Sequence, residues 1–244
     1  MDKQQFLMSP LAKFLQIHVK TLDAVVQQEN RPQSSLKADG SPVTELDHAL
    51  SNSIEELMML FNPSFTYYSE ENFSDWSFPL IAVDPLDGTI EFIKGRNEWS
   101  ISIGIFQSEK FEGDGWIYNP MTKEVFSETE LIPFKNKNSY CGEISRSEWE
   151  KDLFTNKKTD KFDLRPMGSI AYKLGRLSSG KCDFVVSLKP KNIWDVAGGT
   201  LLCKKAGYRF YSQGKEVTSV EKIYQPPLIW CHSSLFDELS KIYP

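Results

Sequence analysis

The chain of 244 residues lacks the features that mark membrane, secreted or nucleic-acid-binding proteins. No apolar run approaches the roughly 18 residues of a membrane-spanning helix, and Met1 to Gln5 lack the charged and then apolar pattern of a secretory signal. Lys and Arg (28) are outnumbered by Asp and Glu (33), so the net charge of −5 argues against a basic surface for nucleic acid polymers. We therefore expect a cytoplasmic protein with neither a membrane nor a polynucleotide as partner.

Cysteine is also scarce and widely spaced. The four cysteines form no C-x-x-C pair, so the sequence suggests neither a zinc site nor a disulfide framework. We expect free and largely buried thiols, as in a reducing compartment. The four residues are Cys141, Cys182, Cys203 and Cys231.

What the chain does have is the composition of an ordinary globular protein, with 40% hydrophobic and 25% charged residues. Its length suits one large domain or two smaller parts that share a core. The polar stretch Pro133–Ser139 is the best candidate for a boundary. We therefore predict an N-terminal α+β half over residues 1–135 and a C-terminal α/β half over residues 136–244.

Hydrophobic periodicity predicts helices that alternate with strands, which favours a layered α/β architecture. Ser9-Pro10 is typical of a helix start, and Thr44 with Asp47 three residues later predicts a capped second helix after the polar loop Gln28–Ser41. Further strands are predicted at Phe65–Ser69, Leu80–Val83, Ser100–Phe106, Trp116–Tyr118, Glu124–Ser127, Cys182–Ser187 and Leu228–Cys231. Further helices are predicted at Ser169–Ser178, Asp195–Ala206 and Ser234–Ile242.

The most informative stretch is Asp84-Pro85-Leu86-Asp87-Gly88-Thr89, which follows the apolar run Leu80–Val83. A buried strand that ends in this way brings several oxygen atoms to one place. Two carboxylates about 4 Å apart repel each other by about 4 kcal/mol at an effective dielectric of about 20. Because Mg²⁺ takes oxygen ligands and keeps positions open for phosphate oxygens, the stretch favours a metal site. The alternative is an Asp-Pro turn with a helix cap.

Acidic residues at three other places in the chain could contribute to such a site, and each also has an ordinary structural explanation. Glu70-Glu71 ends a predicted strand, where ligand sites of α/β folds gather, but it could be a solvated pair. Asp195 in the string Trp194–Gly199 begins a predicted helix and could be a plain N-cap. Asp47 could likewise be only a capping residue, and Lys37 only a solvated lysine.

Taken together, these residues resemble the inositol monophosphatase family, part of a superfamily that includes fructose-1,6-bisphosphatases and 3′(2′),5′-bisphosphate nucleotidases. The resemblance runs from about Leu11 to the C-terminal helix, and its pair of motifs, D-P-L-D-G-T and W-D-V-A-G-G, is highly specific. It implies a layered α-β-α-β-α sandwich of the α/β class and a metal-dependent phosphoric monoester hydrolase. The residues in the order and approximate spacing of the family are Lys37, Asp47, Glu70, Glu71, Asp84, Asp87, Thr89, Trp194 and Asp195.

The resemblance implies a site for two or three Mg²⁺ ions. Glu70, Asp84 and the backbone carbonyl of Leu86 are similar to the ligands of a first ion. Asp84, Asp87 and Asp195 are similar to the ligands of a second. Two metal ions in such a site clamp the attacking water and the leaving oxygen, and they lower the pKa of the water.

The resemblance also assigns the groups that act on water and phosphate. Thr89 would position and help deprotonate the water, with Asp47 holding the Thr89 hydroxyl and Glu70 assisting. The backbone amides of Gly88 and Thr89, at the start of a helix, would bind phosphate oxygens. Lys37 resembles the family lysine near the phosphate. No covalent intermediate is implied, because nothing resembles a nucleophile with its own histidine base.

Fewer residues bear on the substrate. Glu91-Phe92-Ile93 after the D-G-T, and Lys189–Ile193 before Trp194, resemble the bisphosphate nucleotidases. Ile90 departs from them, and Gly168-Ser169-x-Ala171-x-Lys173 is more similar to a bacterial inositol monophosphatase. We favour a nucleotidase that converts adenosine 3′,5′-bisphosphate to AMP and phosphate. The alternatives are an inositol-1-monophosphatase and a sugar phosphatase.

A nucleotide would need groups for its base and its second phosphate. Gly168 and Ser169 at a helix start, with Lys189 and Lys191 on the loop before Trp194, suit a 5′-phosphate. Gly168 would also let a flat base approach the backbone. The alternative is that Gly168-Ser169 only caps the helix and that the lysines are solvated.

A different class of function is a catalytically silent binding or regulatory module. Such proteins lose metal ligands or the threonine, whereas this chain keeps every acidic ligand and Thr89. The resemblance further implies inhibition by lithium and a small phosphorylated metabolite as partner, and it is compatible with a homodimer. Most of the predicted metal ligands fall in the half 1–135, whereas the half 136–244 carries Asp195 and the substrate loops.

Overall fold

The computed structural model describes residues 34–36, 42–61, 63–72, 76–154 and 159–243. The predicted first helix after Ser9-Pro10 and the predicted phosphate-site residue Lys37 lie outside the described residues. The described strands are β1 (Ser34–Leu36), β2 (Pro42–Thr44), β3 (Thr66–Ser69), β4 (Leu80–Asp87), β5 (Ser100–Phe106), β6 (Gly113–Asn119), β7 (Glu124–Phe126), β8 (Tyr140–Ser145), β9 (Phe162–Met167), β10 (Phe184–Ser187), β11 (Lys191–Asn192), β12 (Arg209–Ser212), β13 (Lys215–Glu216), β14 (Ile223–Tyr224) and β15 (Leu228–Cys231). The described helices are α1 (Glu45–Phe61), α2 (Thr89–Ile93), α3 (Arg146–Glu150), α4 (Ile170–Ser178), α5 (Ile193–Lys205) and α6 (Ser233–Ile242).

A five-stranded sheet, in the order β3-β4-β5-β6-β7, forms the first layer of strands. Strands β3 and β4 are parallel, and the other neighbours are antiparallel. Alternate residues of β4 face opposite sides, so Leu80 and Ala82 join one hydrophobic cluster while Ile81 and Val83 join another. Both faces of the strand are therefore buried, which explains its continuous apolar run.

A six-stranded sheet, in the order β13-β12-β15-β10-β8-β9, forms the second layer of strands. Helix α1 covers the outer face of the five-stranded sheet through residues such as Leu50, and α6 covers the outer face of the six-stranded sheet through residues such as Leu239. Helices α4 and α5 lie between the sheets, where Leu174 and Val196 share a cluster with residues of both. The layers run α-β-α-β-α, which confirms the predicted sandwich.

Helix α5 packs unusually close to the five-stranded sheet. A Cβ atom added to Gly104 of β5 would lie 2.5 Å from the Cβ of Ala197, and one added to Gly198 would lie 2.7 Å from the carbonyl oxygen of Ile103. Glycine is therefore required on both surfaces, because a larger side chain would push the helix away. The small residues after Asp195 have this packing role, and they bring that carboxylate close to the end of β4.

Along the sequence, all strands of the five-stranded sheet precede the polar stretch Pro133–Ser139, and all strands of the six-stranded sheet follow it. Helix α5, which belongs to the second half of the chain, nevertheless packs on β4, β5 and β6 of the first half. The hydrophobic cluster between the sheets also draws on both halves. The division into halves at residue 135 stays a prediction.

Some element bounds differ from those that the sequence predicts. Strand β4 does not end at Val83 but continues to Asp87, and α5 begins at Ile193, two residues before Asp195. Strands β5 and β15 have the predicted bounds. Strands β8, β9 and β12 are not predicted by the sequence pattern. Strand β8 buries Glu143, whose charge is paired with Arg176 of α4, so its pattern is not that of an apolar strand.

Two further expectations concern cysteines and membranes. All four cysteines are free, and three of them are buried, as predicted. Among the described residues, every helix is too short or too polar to span a lipid bilayer.

Candidate active site

Acidic residues meet at one edge of the five-stranded sheet. Strand β3 pairs in parallel with β4 up to Ser69 opposite Val83, so Glu70, which follows β3, comes next to Asp84 of β4. The pairing of β4 with β5 shifts register between Asp84 and Asp87, which marks a bulge. A bulge accommodates Pro85 within a strand and re-aims the side chains around it. The continuation of β4 past Val83 is therefore what turns both aspartates toward one site.

A third aspartate reaches this site from α5. Asp195 is the third residue of the helix, and its Oδ2 accepts a hydrogen bond of 2.9 Å from the backbone N–H of Asn192. The N-cap is Asn192 itself, so the alternative interpretation of Asp195 as a plain N-cap is wrong. The difference arises because the helix starts directly after β11, at Ile193.

The three aspartates form a tight cluster. One carboxylate oxygen each from Asp84, Asp87 and Asp195 lies within 4.8 Å of the others, and Asp84 is only 1% exposed. Burial, followed by repulsion from the neighbouring carboxylates including Glu70, raises the pKa of Asp84 well above its usual value. Burial also raises the pKa of Asp195 to about 7, with Lys191 opposing the shift. These groups repel each other and favour a bound cation.

The donor set fits Mg²⁺. Carboxylate oxygens are hard ligands, and the bulge places Leu86, whose carbonyl oxygen lies 3.2 Å from the Thr89 hydroxyl, in the lining of the same cavity. One oxygen of each aspartate is oriented by a backbone N–H group, which fixes the carboxylates without neutralising them. The pairs are Leu86 N–H to Asp84 at 2.9 Å, Ala171 N–H to Asp87 at 2.6 Å and Asn192 N–H to Asp195 at 2.9 Å.

Thr89 and Asp47 are in direct contact. The Thr89 hydroxyl donates to Asp47 Oδ1 at 3.2 Å and lies 3.2 Å from the carbonyl oxygen of Leu86. The other oxygen of Asp47, Oδ2, accepts the backbone N–H of Thr44 at 2.8 Å at the start of α1. Asp47 therefore both caps a helix and binds Thr89, so the two interpretations of this residue are compatible. Burial raises the pKa of Asp47, and the hydrogen bonds from Thr44 and Thr89 oppose that shift.

Ser169 has two roles in the structure. Its Oγ accepts the backbone N–H of Tyr172 at 2.9 Å, which caps α4. The same hydroxyl donates to Asp87 Oδ2 at 2.5 Å, beside the N–H of Ala171. Ser169 therefore contacts an acidic residue of the cluster directly, besides lining the cavity as the substrate prediction requires.

A cavity of about 280 Å³ opens over the carboxylates. Glu70 and Thr89 line it together with the three aspartates, whereas Asp47 does not line it and contacts it through its hydrogen bond with Thr89. Lys191 also lines it, whereas Lys189 does not. The other lining residues include Ser145, Arg146, Ser147, Gly168 and Ile170.

The two glycines predicted to bind substrate, Gly88 and Gly168, are also required by the local backbone geometry. Gly88 has a φ of 101°, in the left-handed region that favours glycine, and it turns the chain from β4 into α2. A Cβ on Gly168 would lie 2.4 Å from Cγ of Glu91 and 2.7 Å from the carbonyl oxygen of Glu98. Close packing against these two residues therefore accounts for the glycine at 168 without a bound base.

Two basic residues of the cavity, Arg146 and Lys173, have no role that the sequence pattern predicts. Arg146 binds Glu98 through Nη2 and lies 4.0 Å from Glu91, and Lys173 is almost completely buried beneath the cavity. The arginine follows a serine in Ser145-Arg146-Ser147, a polar string without a periodic signal. The lysine belongs to the string Gly168–Lys173, whose similarity to a bacterial inositol monophosphatase implies no role for it. Its position on the buried side of α4 is not visible in the sequence.

Comparison with known proteins decides the family. The model of the inositol monophosphatase family matches residues 7–238. The chain belongs to the inositol monophosphatase family. Members of this family are magnesium-dependent phosphatases, so the chain is a metal-dependent phosphoric monoester hydrolase, as predicted.

Individual relatives carry different names. Inositol monophosphatase 3 of Solanum lycopersicum is 31% identical over 201 residues, which are 71% of this chain and 75% of that protein. The 3′(2′),5′-bisphosphate nucleotidase CysQ of Escherichia coli K12 is 29% identical over 201 residues, 73% of this chain and 80% of that protein. The solved inositol monophosphatase TM1415 of Thermotoga maritima shares the fold, with a TM-score of 0.76 at 22% identity over 93% of this chain and 95% of that one.

The raised pKa values predict how Mg²⁺ stabilises the protein at different pH. In the unfolded chain Asp84 and Asp195 lose their protons near pH 4, whereas in the folded metal-free protein their pKa values are raised, that of Asp195 to about 7. Metal-free stability therefore falls as the pH rises through this range. Because Mg²⁺ binds the ionised carboxylates, the rise in Tm that it causes should be larger at pH 8 than at pH 5.

Thermal unfolding with excess EDTA or with Mg²⁺ at the two pH values measures this difference. Asp195→Asn is the matched control, because it keeps an oxygen for the Asn192 N–H and removes the charge. This variant should melt higher than the wild type at pH 8 without metal and lose most of the Mg²⁺ effect. An equal Mg²⁺ shift at both pH values would contradict the prediction.

Proposed function

We propose that this phosphatase acts on a 3′(2′),5′-bisphosphate nucleotide and converts adenosine 3′,5′-bisphosphate to AMP and phosphate. The observation that carries the proposal is the charge distribution in the cavity. Lys191 shares the cavity with the carboxylate cluster, and within the described residues it makes no ion pair shorter than 4.0 Å. A cation in that position suits a second phosphate, which an inositol monophosphate does not have.

The proposed metal ligands follow the clustering of the acidic groups. We assign Glu70, Asp84 and the Leu86 carbonyl to one ion, and Asp84, Asp87 and Asp195 to a second. When bound, Mg²⁺ supplies positive charge at the phosphoryl oxygens and lowers the pKa of a bound water. We propose two ions, or three in the complex with substrate.

The side chains of the protein supply the proton path. In our proposal the Thr89 oxygen accepts a hydrogen from the attacking water, while its own hydrogen is donated to Asp47 Oδ1 along the 3.2 Å contact. Glu70 accepts a second hydrogen bond from the same water. The water oxygen forms a bond to phosphorus as the bond from phosphorus to the ribose oxygen breaks, and the departing ribose oxygen takes up a proton from solvent water.

The alternative substrate is inositol 1-phosphate. The string Gly168-Ser169-x-Ala171 favours it, since Ser169 contacts Asp87 and Gly168 packs on Glu91 and Glu98, and these contacts need no nucleotide. The tomato relative named inositol monophosphatase 3 points to the same alternative. A silent binding module is disfavoured because Thr89 contacts Asp47 and the acidic cluster is assembled.

A phosphate-release panel tests the proposal. The protein is assayed with 3′-phosphoadenosine 5′-phosphate, inositol 1-phosphate and fructose 1,6-bisphosphate, each with Mg²⁺ and with excess EDTA. We expect the highest kcat/KM for the bisphosphate nucleotide, no activity in EDTA and inhibition by lithium. A higher kcat/KM for inositol 1-phosphate would replace the nucleotidase with the inositol branch, and release of no phosphate from any substrate would favour the silent module.

Substitution of Thr89 tests the proton path. Thr89→Ala should leave Mg²⁺ binding intact and lower kcat by about 10²–10⁴-fold, the usual contribution of a positioned general base. Thr89→Ser keeps the hydroxyl and is the matched control, which should retain most of the activity.

Asp47→Asn should affect the same step, because the amide offers a worse acceptor to the Thr89 hydroxyl. The double variant Thr89→Ala with Asp47→Asn should therefore lose much less than the product of the two single losses. Steady-state kinetics of the four proteins measures this coupling. Strictly multiplicative losses would restrict Asp47 to its capping role.

Substitution of Lys191 tests the second phosphate. Lys191→Ala should raise KM for 3′-phosphoadenosine 5′-phosphate about tenfold or more, because a hydrogen bond to a charged group contributes about 1.5–3 kcal/mol. The KM for inositol 1-phosphate should change little. Lys189→Ala is the matched control, since Lys189 does not line the cavity. Equal effects of the two substitutions, or of Lys191→Ala on the two substrates, would contradict the assignment.

A further inference from the structure

Lys173 is a buried cation that the proposed reaction does not use. Its side chain is 2% exposed, and within the described residues no carboxylate lies within 4.0 Å of its ammonium group. The three hydrogens of the ammonium have three partners instead. They are the backbone carbonyl oxygens of Met167 at 3.2 Å, Gly168 at 3.3 Å and Ser169 at 2.9 Å.

These carbonyls belong to a turn with an unusual backbone. Ser169 has a φ of 48°, which non-glycine residues rarely adopt. Three carbonyl oxygens that converge would repel each other without a cation between them, although the oxygen of Ser169 also accepts the backbone N–H of Lys173 at 3.3 Å. The ammonium of Lys173 offsets this repulsion and donates to all three oxygens, which stabilises the turn in this conformation.

The same turn orients Asp87. The hydroxyl of Ser169 and the backbone N–H of Ala171 both donate to Asp87 Oδ2, at 2.5 and 2.6 Å. Movement of the turn would remove two donors from one carboxylate oxygen at once. Burial lowers the pKa of Lys173 to about 8, and the negative charge of Asp87 opposes that shift, so the two groups also interact through their charges.

We propose that Lys173 is a positioning residue of the metal site, which holds the turn at Ser169 so that Asp87 is presented to the cation in one orientation. The inference rests on the proposed function in taking Asp87 as a metal ligand. It differs from a role in substrate binding, because the ammonium hydrogens are already used by carbonyl groups. Lys173 acts through Ser169 and Ala171, which contact Asp87 directly.

Calorimetric titration of Mg²⁺ into the metal-free protein tests this role without an activity readout. Lys173→Met, similar in length but without charge, should raise the Kd for Mg²⁺ about tenfold, since loss of outer partners of a metal ligand typically costs about 10–100-fold in affinity. Lys173→Gln, which keeps an N–H donor, should show a smaller increase. Lys204→Met is the matched control, because Lys204 also lies near a backbone carbonyl, that of Val217 at 3.5 Å, but does not line the cavity.

Repeating the Lys173 substitutions in an Asp87→Asn protein separates an effect on the orientation of Asp87 from an effect on the stability of the fold. If Lys173 acts through Asp87, Lys173→Met should cause little further loss of Mg²⁺ affinity in that background. Thermal unfolding shows whether each variant is folded, and Lys173→Gln supplies the comparison if Lys173→Met does not fold. An unchanged Kd in a folded Lys173 variant, or an equal further loss in the Asp87→Asn background, would overturn the inference.

This test is independent of the substrate. A wild-type protein that binds Mg²⁺ but does not hydrolyse 3′-phosphoadenosine 5′-phosphate would contradict the proposed nucleotide and leave the role of Lys173 supported or refuted by its own titrations. A wild-type protein that hydrolyses the nucleotide while the Lys173 variants bind Mg²⁺ normally would contradict only the role of Lys173.

Discussion

Repulsion among Asp84, Asp87 and Asp195 is the interaction on which the rest of the site depends. Their oxygens lie within 4.8 Å of one another, a separation at which like charges in a partly buried site repel by several kcal/mol, about 4 at an effective dielectric of about 20. In the absence of a cation, this repulsion among the ionised carboxylates lowers the stability of the folded protein. Binding of a divalent cation reverses the sign of this contribution and links metal binding to stability.

Parts of the chain that are distant in sequence bring the three aspartates together. A bulge in β4 supplies two carboxylates, and the close approach of α5 through Gly104 and Gly198 supplies the third. Backbone N–H groups orient each carboxylate without adding a competing positive charge. The fold itself therefore orients the carboxylates, which favours specific binding of a cation that needs defined geometry.

The sequence predicted the acidic residues of the site better than the strands and buried residues that surround them. The acidic motifs implied through their resemblance to the inositol monophosphatase family that these carboxylates share one site, and three of them lie within 4.8 Å of one another. Periodicity located β5 and β15, whose residues are mostly apolar. It could not locate β8, because the burial of Glu143 depends on Arg176 from another element. Periodicity also could not assign a role to Lys173. This lysine donates hydrogen bonds to three carbonyl oxygens of a turn, and no local sequence pattern predicts the conformation of that turn.

The central claim is that the aspartate cluster is a magnesium site. Calorimetric titration of Mg²⁺ into the metal-free wild type and into Asp84→Asn tests it most directly, because Asp84 is the most buried member and is shared by both proposed ions. The account predicts saturable binding to the wild type and its loss in Asp84→Asn, with the variant melting higher than the wild type in EDTA at pH 8. Equal Mg²⁺ binding by the two folded proteins would contradict it.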